Sequence, residues 1–205
     1  MIKCGRPRKG EEQLSRDRLL DTTTALVLEH GYGNLSLETI ARDARVSMRT
    51  IYSQFGGKAG LFGAVIRRCS DQFVACLSEE QALDCSPEDV LVAFAKQFLF
   101  RITRSDAMRI RALIIGESLR FPDVAAQYYE QGPQRTLEHL AQFFARHAEY
   151  FAVEDAHVLA DQFLSVLRSE RFQKLQLGLE QTPDEAEIDA WAQQNTRLFL
   201  QGSRR

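Results

Sequence analysis

A short segment near the amino terminus carries side chains suited to hydrogen bonding with nucleic acid. The apolar residues Ile51 and Phe55 are spaced to point inward from one helix, which leaves a polar outer face. On such a face Arg49 can bind guanine O6 and N7 or a phosphate, Thr50 can contact a thymine methyl, and Tyr52 can bond a phosphate. The residues available for this chemistry are Ser47, Met48, Arg49, Thr50, Tyr52 and Ser53.

The residues just before this face predict a second short helix and a tight turn. Apolar side chains fall at i, i+3, i+4 and i+7 between Leu37 and Ala44, as on one side of a helix. Ser36 precedes the first of these helices and Ser47 the second, each as a candidate N-cap. Two short helices with a polar face on the second are typical of a helix-turn-helix that enters the DNA major groove.

The segment from Leu19 to Ile66 resembles the N-terminal domain of the tetracycline-repressor (TetR) family of bacterial transcriptional regulators. Its matching landmarks are Gly31-Tyr32, Ser36, Ile40-Ala41, Val46-Ser47, Ile51-Tyr52, Phe55, Lys58 and Leu61. Arg45 departs from the pattern, because the family usually has glycine in the turn between the two helices. We therefore expect Arg45 to adopt a left-handed conformation at some energetic cost.

The resemblance implies further contacts with the DNA backbone. Ser36 and Thr39, at the start of the second helix, and Lys58, at the start of the fourth, match positions where the family contacts phosphates. Helix N-termini offer free N–H groups for such contacts. A basic arm precedes the first helix, and its Arg6 and Arg8 suit a DNA minor groove. The alternative for this arm is a solvated terminal tail.

Charge is divided unevenly along the 205 residues. Residues 1–68 carry 12 Lys/Arg against 7 Asp/Glu, whereas residues 69–205 carry 14 against 21. A basic front and an acidic remainder fit a DNA-binding head on a body that avoids phosphates. The absence of a long apolar run or a secretory signal predicts a cytoplasmic protein with no membrane partner. No catalytic, cofactor or metal motif is present, so we expect neither an enzyme nor a cofactor.

The pattern of the whole chain predicts an all-α protein. Nine helices are expected, as in the TetR architecture: a three-helix helix-turn-helix domain over residues 1–57 and a six-helix regulatory and dimerisation domain over residues 58–205. The pair Gly132-Pro133 predicts a kink or break in the seventh helix. The eighth helix is expected from Glu154 to Leu177, and Thr182 is the expected cap of the ninth. Residues 112–144 resemble an AcrR-type C-terminal domain of this family.

The resemblance also implies a cavity for a small molecule between helices four to eight. Aromatic side chains at helical spacing are candidates to line it, although the same spacing is typical of plain core. Glu117, flanked by apolar residues, needs a partner such as an arginine or a cationic ligand. The candidate ligand-binding residues are Phe73, Phe94, Phe98, Met108, Glu117, Phe121, Tyr128, Phe144 and Phe163.

Helices eight and nine carry more apolar residues than one small body must bury. Two such helices from each subunit would form a four-helix bundle about a two-fold axis, as is usual in this family. Trp191 is the expected centre of this interface. The candidate dimer residues are Val158, Phe163, Val166, Leu167, Ile188, Trp191, Leu198 and Phe199.

These features favour a ligand-responsive transcriptional regulator, which in this family is most often a repressor. The expected partners are a palindromic double-stranded DNA operator, a second copy of the chain and a small-molecule effector of unknown identity. An effector would select a conformation in which the two heads no longer match the operator. The alternative is a DNA-binding activator or architectural protein without an effector.

Overall fold

The computed structural model describes residues 9–77, 85–152 and 154–204 of the chain. Within these ranges the protein is built from helices, with a single β-bridge between Phe151 and Arg204, which confirms the all-α prediction. None of the described helices is long and apolar enough to cross a membrane. The described residues form two compact units: one combines residues up to Ile66 with Leu113–Tyr128, and the other combines Arg67–Ala112 with the residues from Tyr129 onward.

The first unit is organised around the two short helices predicted from the sequence. Its N-terminal part consists of α1 (Lys9–His30), α2 (Leu37–Ala44), α3 (Met48–Phe55) and the start of α4 (Lys58–Val74). The side chains buried in this part of the unit are Leu19, Leu20, Val27, Tyr32, Leu35, Ile40, Ala41, Ala44, Ile51, Leu61 and Phe62.

Both predicted serine caps are confirmed. The Ser36 hydroxyl accepts the backbone N–H of Thr39 at 3.1 Å, and the Ser47 hydroxyl accepts that of Thr50 at 3.0 Å. Each bond satisfies one of the N–H groups that a helix leaves unpaired at its start. The caps therefore define where α2 and α3 begin.

The start of α4 passes very close to the end of α3. A Cβ atom at position 60 would lie 1.9 Å from the backbone oxygen of Phe55, so only glycine allows this approach. Gly56, in the left-handed region with φ 73°, ends α3 just before this point. The turn after α3 thus depends on glycine at position 56, and the close approach of α4 depends on glycine at position 60.

Most of the remaining helices belong to the second unit. The helix Pro122–Tyr129 lies in the first unit up to Tyr128, and the helices Lys58–Val74 and Ser105–Glu117 are divided between the two units. A 3₁₀ turn, Ala75–Leu77, follows α4. The later helices are α5 (Pro87–Ile102), α6 (Ser105–Glu117), α7 (Pro122–Tyr129), α8 (Arg135–Arg146), α9 (Ala156–Leu167), α10 (Glu170–Gln176) and α11 (Glu185–Ser203). A π-helical segment that includes Gly132 and Pro133 joins α7 to α8, which confirms the predicted irregularity there.

Two boundaries differ from the sequence-based prediction. The expected single helix from 154 to 177 is wrong, because the backbone leaves the helical conformation at Arg168, with ψ 44°. A separate helix, α10, then begins at Glu170, with Ser169 at its N-cap position. The apolar spacing continues across this break and therefore conceals it. The predicted Thr182 cap is also wrong: the carboxylate of Asp184 accepts the N–H of Glu187, whose side chain accepts the N–H of Asp184 in return. Two overlapping capping-box patterns compete here, and the later one forms.

The core of the second unit is dominated by phenylalanine. The rings of Phe94 and Phe98 stack with centroids 5.6 Å apart, and that of Phe163 lies 6.2 Å from Phe94 and 4.8 Å from Phe199. Aromatic pairs at these separations add to the hydrophobic gain from burial. These contacts join α5, α9 and α11 through one continuous apolar cluster.

Candidate nucleic-acid interface

The structure brings the predicted DNA-contacting residues of α3 together on one surface. Ile51 is fully buried, whereas Tyr52 is 56% exposed. Arg49 and Ser53 are exposed as well, and Met48 and Thr50 are partly buried. The helix thus presents a guanidinium group, hydroxyls and a phenol to solvent on the side opposite its buried residue. This is the set of donors, acceptors and methyl groups that the edges of base pairs can recognise.

The turn between α2 and α3 has the conformation expected from the sequence. Arg45 lies in the left-handed region, with φ 57° and ψ 44°. Its N–H donates to Arg42 O at 3.1 Å, and the N–H of Val46 donates to Ala41 O at 2.9 Å. The last carbonyls of α2 are therefore satisfied, and the chain reverses sharply enough to start α3 two residues later.

Two arginines of α1, which were not identified from the sequence, contact the C-terminal ends of α2 and α3. The Nε–H group of Arg18 donates to the Ala44 carbonyl at 3.1 Å, at the end of α2. The guanidinium group of Arg16 lies 5.3 Å from the ring centroid of Phe55, at the end of α3. Both contacts join residues that are far apart in sequence, so no local pattern predicts them. They stabilise the orientation of α2 and α3 against α1.

Lys58 is engaged within the first unit. Its ammonium group lies 3.9 Å from the ring centroid of Tyr32 and donates a hydrogen bond to the Tyr32 carbonyl. Burial lowers the pKa of Lys58, while the nearby carboxylates of Glu117 and Asp123 oppose that shift. Lys58 therefore connects the start of α4 to the loop between α1 and α2. Its contact with a DNA phosphate stays a prediction.

The other predicted phosphate contacts lie at helix starts. The hydroxyls of Ser36 and Thr39 are 3.2 Å apart, and those of Ser47 and Thr50 are 2.8 Å apart. Ser36 and Ser47 are exposed, so each capping oxygen is at the surface of the protein. Phosphate binding by these groups is untested. The predicted minor-groove residues, Arg6 and Arg8, lie outside the described residues.

The candidate ligand-binding residues are divided between the two units. Glu117 and Phe121 belong to the first unit, where the Glu117 carboxylate accepts the Gly33 N–H at 3.1 Å and the Phe121 ring lies 5.5 Å from that of Tyr32. Tyr128 also belongs to that unit. The buried candidates of the second unit are Phe73, Phe94, Phe98, Phe144 and Phe163, with the partly buried Met108 packed against them. Their role in ligand binding stays a prediction.

Most of the candidate dimer residues are buried within their own chain. Phe163, Leu167, Ile188, Trp191 and Phe199 are buried in the core of the second unit. Trp191 is only 5% exposed, and the guanidinium group of Arg171 lies 5.2 Å from its ring. Val158 and Leu198 are 52% and 59% exposed, and Val166 is partly buried. Apolar spacing marks a buried face but does not say whether the same chain or a partner covers it.

Two family models together match most of the chain. Residues 19–65 match the model described as bacterial regulatory proteins, tetR family. Residues 89–202 match the model described as AefR-like transcriptional repressor, C-terminal domain. The second match describes the body as AefR-like, where the sequence resemblance pointed to an AcrR-type domain.

Known proteins resemble the chain over different lengths. The transcriptional repressor ComR of Escherichia coli is 33% identical over 96 residues, which cover 46% of this chain and 45% of ComR. The chain thus spans less than half of that relative. The transcriptional regulator BetI of Stenotrophomonas maltophilia is 27% identical over 142 residues, covering 68% of this chain and 72% of BetI.

Solved structures match nearly the whole chain. The flavonoid-responsive regulator FrrA is 30% identical with a TM-score of 0.71, and the match covers 94% of this chain and 98% of FrrA. A TetR transcriptional regulator from Agrobacterium tumefaciens has a TM-score of 0.69 at 22% identity, with coverage of 92% and 94%. The second likeness concerns the fold alone.

The left-handed residue between α2 and α3 yields a stability prediction. Replacing Arg45 with glycine should raise the free energy of unfolding by about 1 kcal/mol, because glycine removes the clash of Cβ with its own carbonyl. The matched control is Arg42→Gly within α2, which should lower it by about 1 kcal/mol. Urea denaturation followed by circular dichroism measures both changes. A loss of stability in both variants would contradict the assignment of strain to Arg45.

Proposed function

The chain belongs to the TetR family of bacterial transcriptional regulators, and on that premise we propose that it binds a palindromic operator as a homodimer under control of a small molecule. As a DNA-binding regulator of this family it is not an enzyme. The proposal is supported by the outer face of α3. Arg49, Thr50 and Tyr52 lie on this face, whereas Ile51 on the inner face of the helix is fully buried. We further propose that the protein represses transcription. We also propose the cytoplasm as its location, because its proposed partner is chromosomal DNA.

The DNA contacts are proposed to divide into two classes. Arg49, Thr50 and Met48 would meet base edges in the major groove, which carries the sequence information. Tyr52, Ser53 and the capped starts of α2, α3 and α4 would meet phosphates, which set the position of the protein on the duplex. The N-terminal arm, with Arg6 and Arg8, would follow the minor groove.

A dimer through α9 and α11 is supported by the residues that remain exposed there. A groove of about 460 Å³ runs along these helices and is lined by Leu159, Val166 and Phe199 among others. Val158 and Leu198 are exposed apolar side chains on the same two helices. Isologous packing of two such surfaces buries them without leaving an open edge. It would also set the distance between the two DNA-binding heads.

The class of effector is suggested by a relative and by the composition of the second unit. FrrA is described as flavonoid-responsive, and the cluster around Phe94, Phe98 and Phe163 offers aromatic surfaces to a planar apolar molecule. The close packing of these rings is also the observation that favours the alternative, a regulator without an effector. Release of operator DNA on addition of a flavonoid would separate the two.

Arg49 provides the most direct test of base recognition. Arg49→Ala should lower the affinity for the operator by about 1–3 kcal/mol, or roughly tenfold to more than a hundredfold, because a bidentate contact with guanine is lost. Arg104→Ala, which removes an exposed arginine of the second unit, is the control and should leave affinity unchanged. Fluorescence anisotropy at fixed salt measures both. Equal binding by the parent and Arg49→Ala would argue against this face as the reading surface.

Leu198 provides the test of the dimer interface. Leu198→Asp places a charge on an exposed apolar position of α11 and should weaken dimerisation by at least about tenfold, with a parallel loss of operator affinity. Ala145→Asp, at an exposed position of α8, is the control and should change neither. Sedimentation equilibrium gives the dimer dissociation constant. A parent protein that is monomeric, or a dimer indifferent to Leu198→Asp, would refute the interface.

A further inference from the structure

The loop between α1 and α2 is the least regular part of the first unit, yet it is closely packed. Tyr32 is only 4% exposed. Its ring meets Phe62 edge-on, with centroids 5.8 Å apart, and meets Phe121 in the same way at 5.5 Å. The loop ends at Ser36, the cap of α2. The position of this loop therefore determines where the helix-turn-helix begins.

A carboxylate from a distant part of the chain binds this loop. Oε2 of Glu117, at the end of α6, accepts the backbone N–H of Gly33 at 3.1 Å. The backbone oxygen of Glu117 accepts the N–H groups of Arg120 and Phe121, both at 2.9 Å, so the turn that presents Phe121 starts at the same residue. One residue thus supplies the bond to the loop and the turn that brings a ring against it.

The loop and the segment after α6 also match each other in shape. A Cβ atom at position 33 would lie 2.9 Å from Cε2 of Phe121, a distance that real Cβ contacts do not adopt. Glycine at position 33 therefore allows the ring of Phe121 to approach the loop backbone. The hydrogen bond of Glu117 and this close approach of Phe121 both involve Gly33.

Lys58 also contacts this loop. The ammonium group of Lys58 lies against the Tyr32 ring and carbonyl, in a partly buried position. Burial lowers the pKa of Lys58, and Glu117 and Asp123 are the acidic groups that oppose this shift. Burial raises the pKa of Tyr32 strongly, with further contributions from Asp123 and Glu117, so its phenol stays neutral.

We infer that Glu117 is a positioning residue for operator binding: by accepting the Gly33 N–H it holds the α1–α2 loop, and with it the start of the helix-turn-helix, in the orientation that reads DNA. This inference rests on the proposed DNA-binding function. It concerns a residue that has no place on the reading surface itself. It also assigns the end of α6 to the DNA-binding unit, although sequence order places that helix in the regulatory body.

The sign of the effect separates positioning from electrostatics. A carboxylate in a DNA-binding unit repels phosphates, so its removal on charge grounds alone should strengthen binding. Loss of a positioning contact should instead weaken specific binding. Glutamine at position 117 removes the charge but keeps a side-chain oxygen that can accept the Gly33 N–H. Alanine removes both.

The experiment compares Glu117→Ala, Glu117→Gln and Glu29→Ala, the last of which removes an exposed carboxylate from α1 of the same unit. Operator and non-operator duplexes are titrated by fluorescence anisotropy at fixed salt. Glu117→Ala should lower operator affinity by roughly tenfold, the size expected for a hydrogen bond to a charged group. Glu117→Gln should stay within about twofold of the parent for the same reason, and Glu29→Ala should bind as well as the parent or better.

The outcomes that would overturn the inference are distinct from failure of the proposed function. Operator binding by Glu117→Ala that equals or exceeds that of the parent would overturn it, as would equal losses in Glu117→Gln and Glu117→Ala. Gly33→Ala is the second variant if Glu117→Ala does not fold. It should also lose operator affinity with an unchanged helical circular dichroism signal, and parent-like binding would overturn the inference. A parent protein that binds no DNA would instead refute the proposed function.

Discussion

The proposed DNA-binding surface depends on burial of a few apolar side chains beneath two very short helices. Both α2 and α3 have eight residues, fewer than an isolated helix needs to be stable in water. Ile40 and Ile51 are both fully buried, and each contributes roughly 1.5–3 kcal/mol relative to an exposed position. The polar outer face of α3 is thus held in place by contacts on its inner face. Any loss of that small core removes the reading surface with it.

The backbone around these helices is satisfied by side chains drawn from several parts of the chain. Serine hydroxyls start α2 and α3, and a left-handed arginine ends α2. Arg18 of α1 supplies a donor to the last carbonyl of α2, and Glu117 of α6 supplies an acceptor to the loop before it. Short helices have a large share of unpaired backbone groups, so these contacts matter more here than in long helices. These contacts fix the orientation of α2 and α3 in addition to stabilising the helices themselves.

Local features of the first unit could be predicted from the sequence, whereas its long-range contacts could not. The Ser36 and Ser47 caps follow from residue types at fixed spacing, the left-handed Arg45 follows from the family resemblance, and the structure confirms all three. The inclusion of residues 113–128 in the first unit rests on contacts with residues 84 positions away, such as that between Gly33 and Glu117. No pattern within a helix reports such a contact. Glu117 was correctly recognised as needing a partner, but that partner is a backbone N–H.

The second unit shows the complementary limit of sequence patterns. Apolar spacing correctly indicated that Phe163, Trp191 and Phe199 are buried, but it assigned them to a dimer interface or a ligand cavity. The structure buries all three in the core of the second unit, and their part in dimerisation or ligand binding stays a prediction. Periodicity reports which face of a helix avoids water, and the covering surface can belong to the same chain, a partner or a ligand. Val158 and Leu198 remain exposed in the single chain, so the proposed dimer interface is restricted to the surface that includes them.

Two copies of the α3 surface are proposed to read the two halves of one operator. Selection of bound duplexes from a random pool by the purified protein, followed by sequencing, measures this directly. We expect an inverted repeat whose half-sites are separated by about one helical turn or a multiple of it. We also expect binding that weakens steeply with salt, as phosphate contacts require. Enrichment of a single unrepeated site, or of no sequence at all, would contradict the reading of two half-sites by two copies of α3.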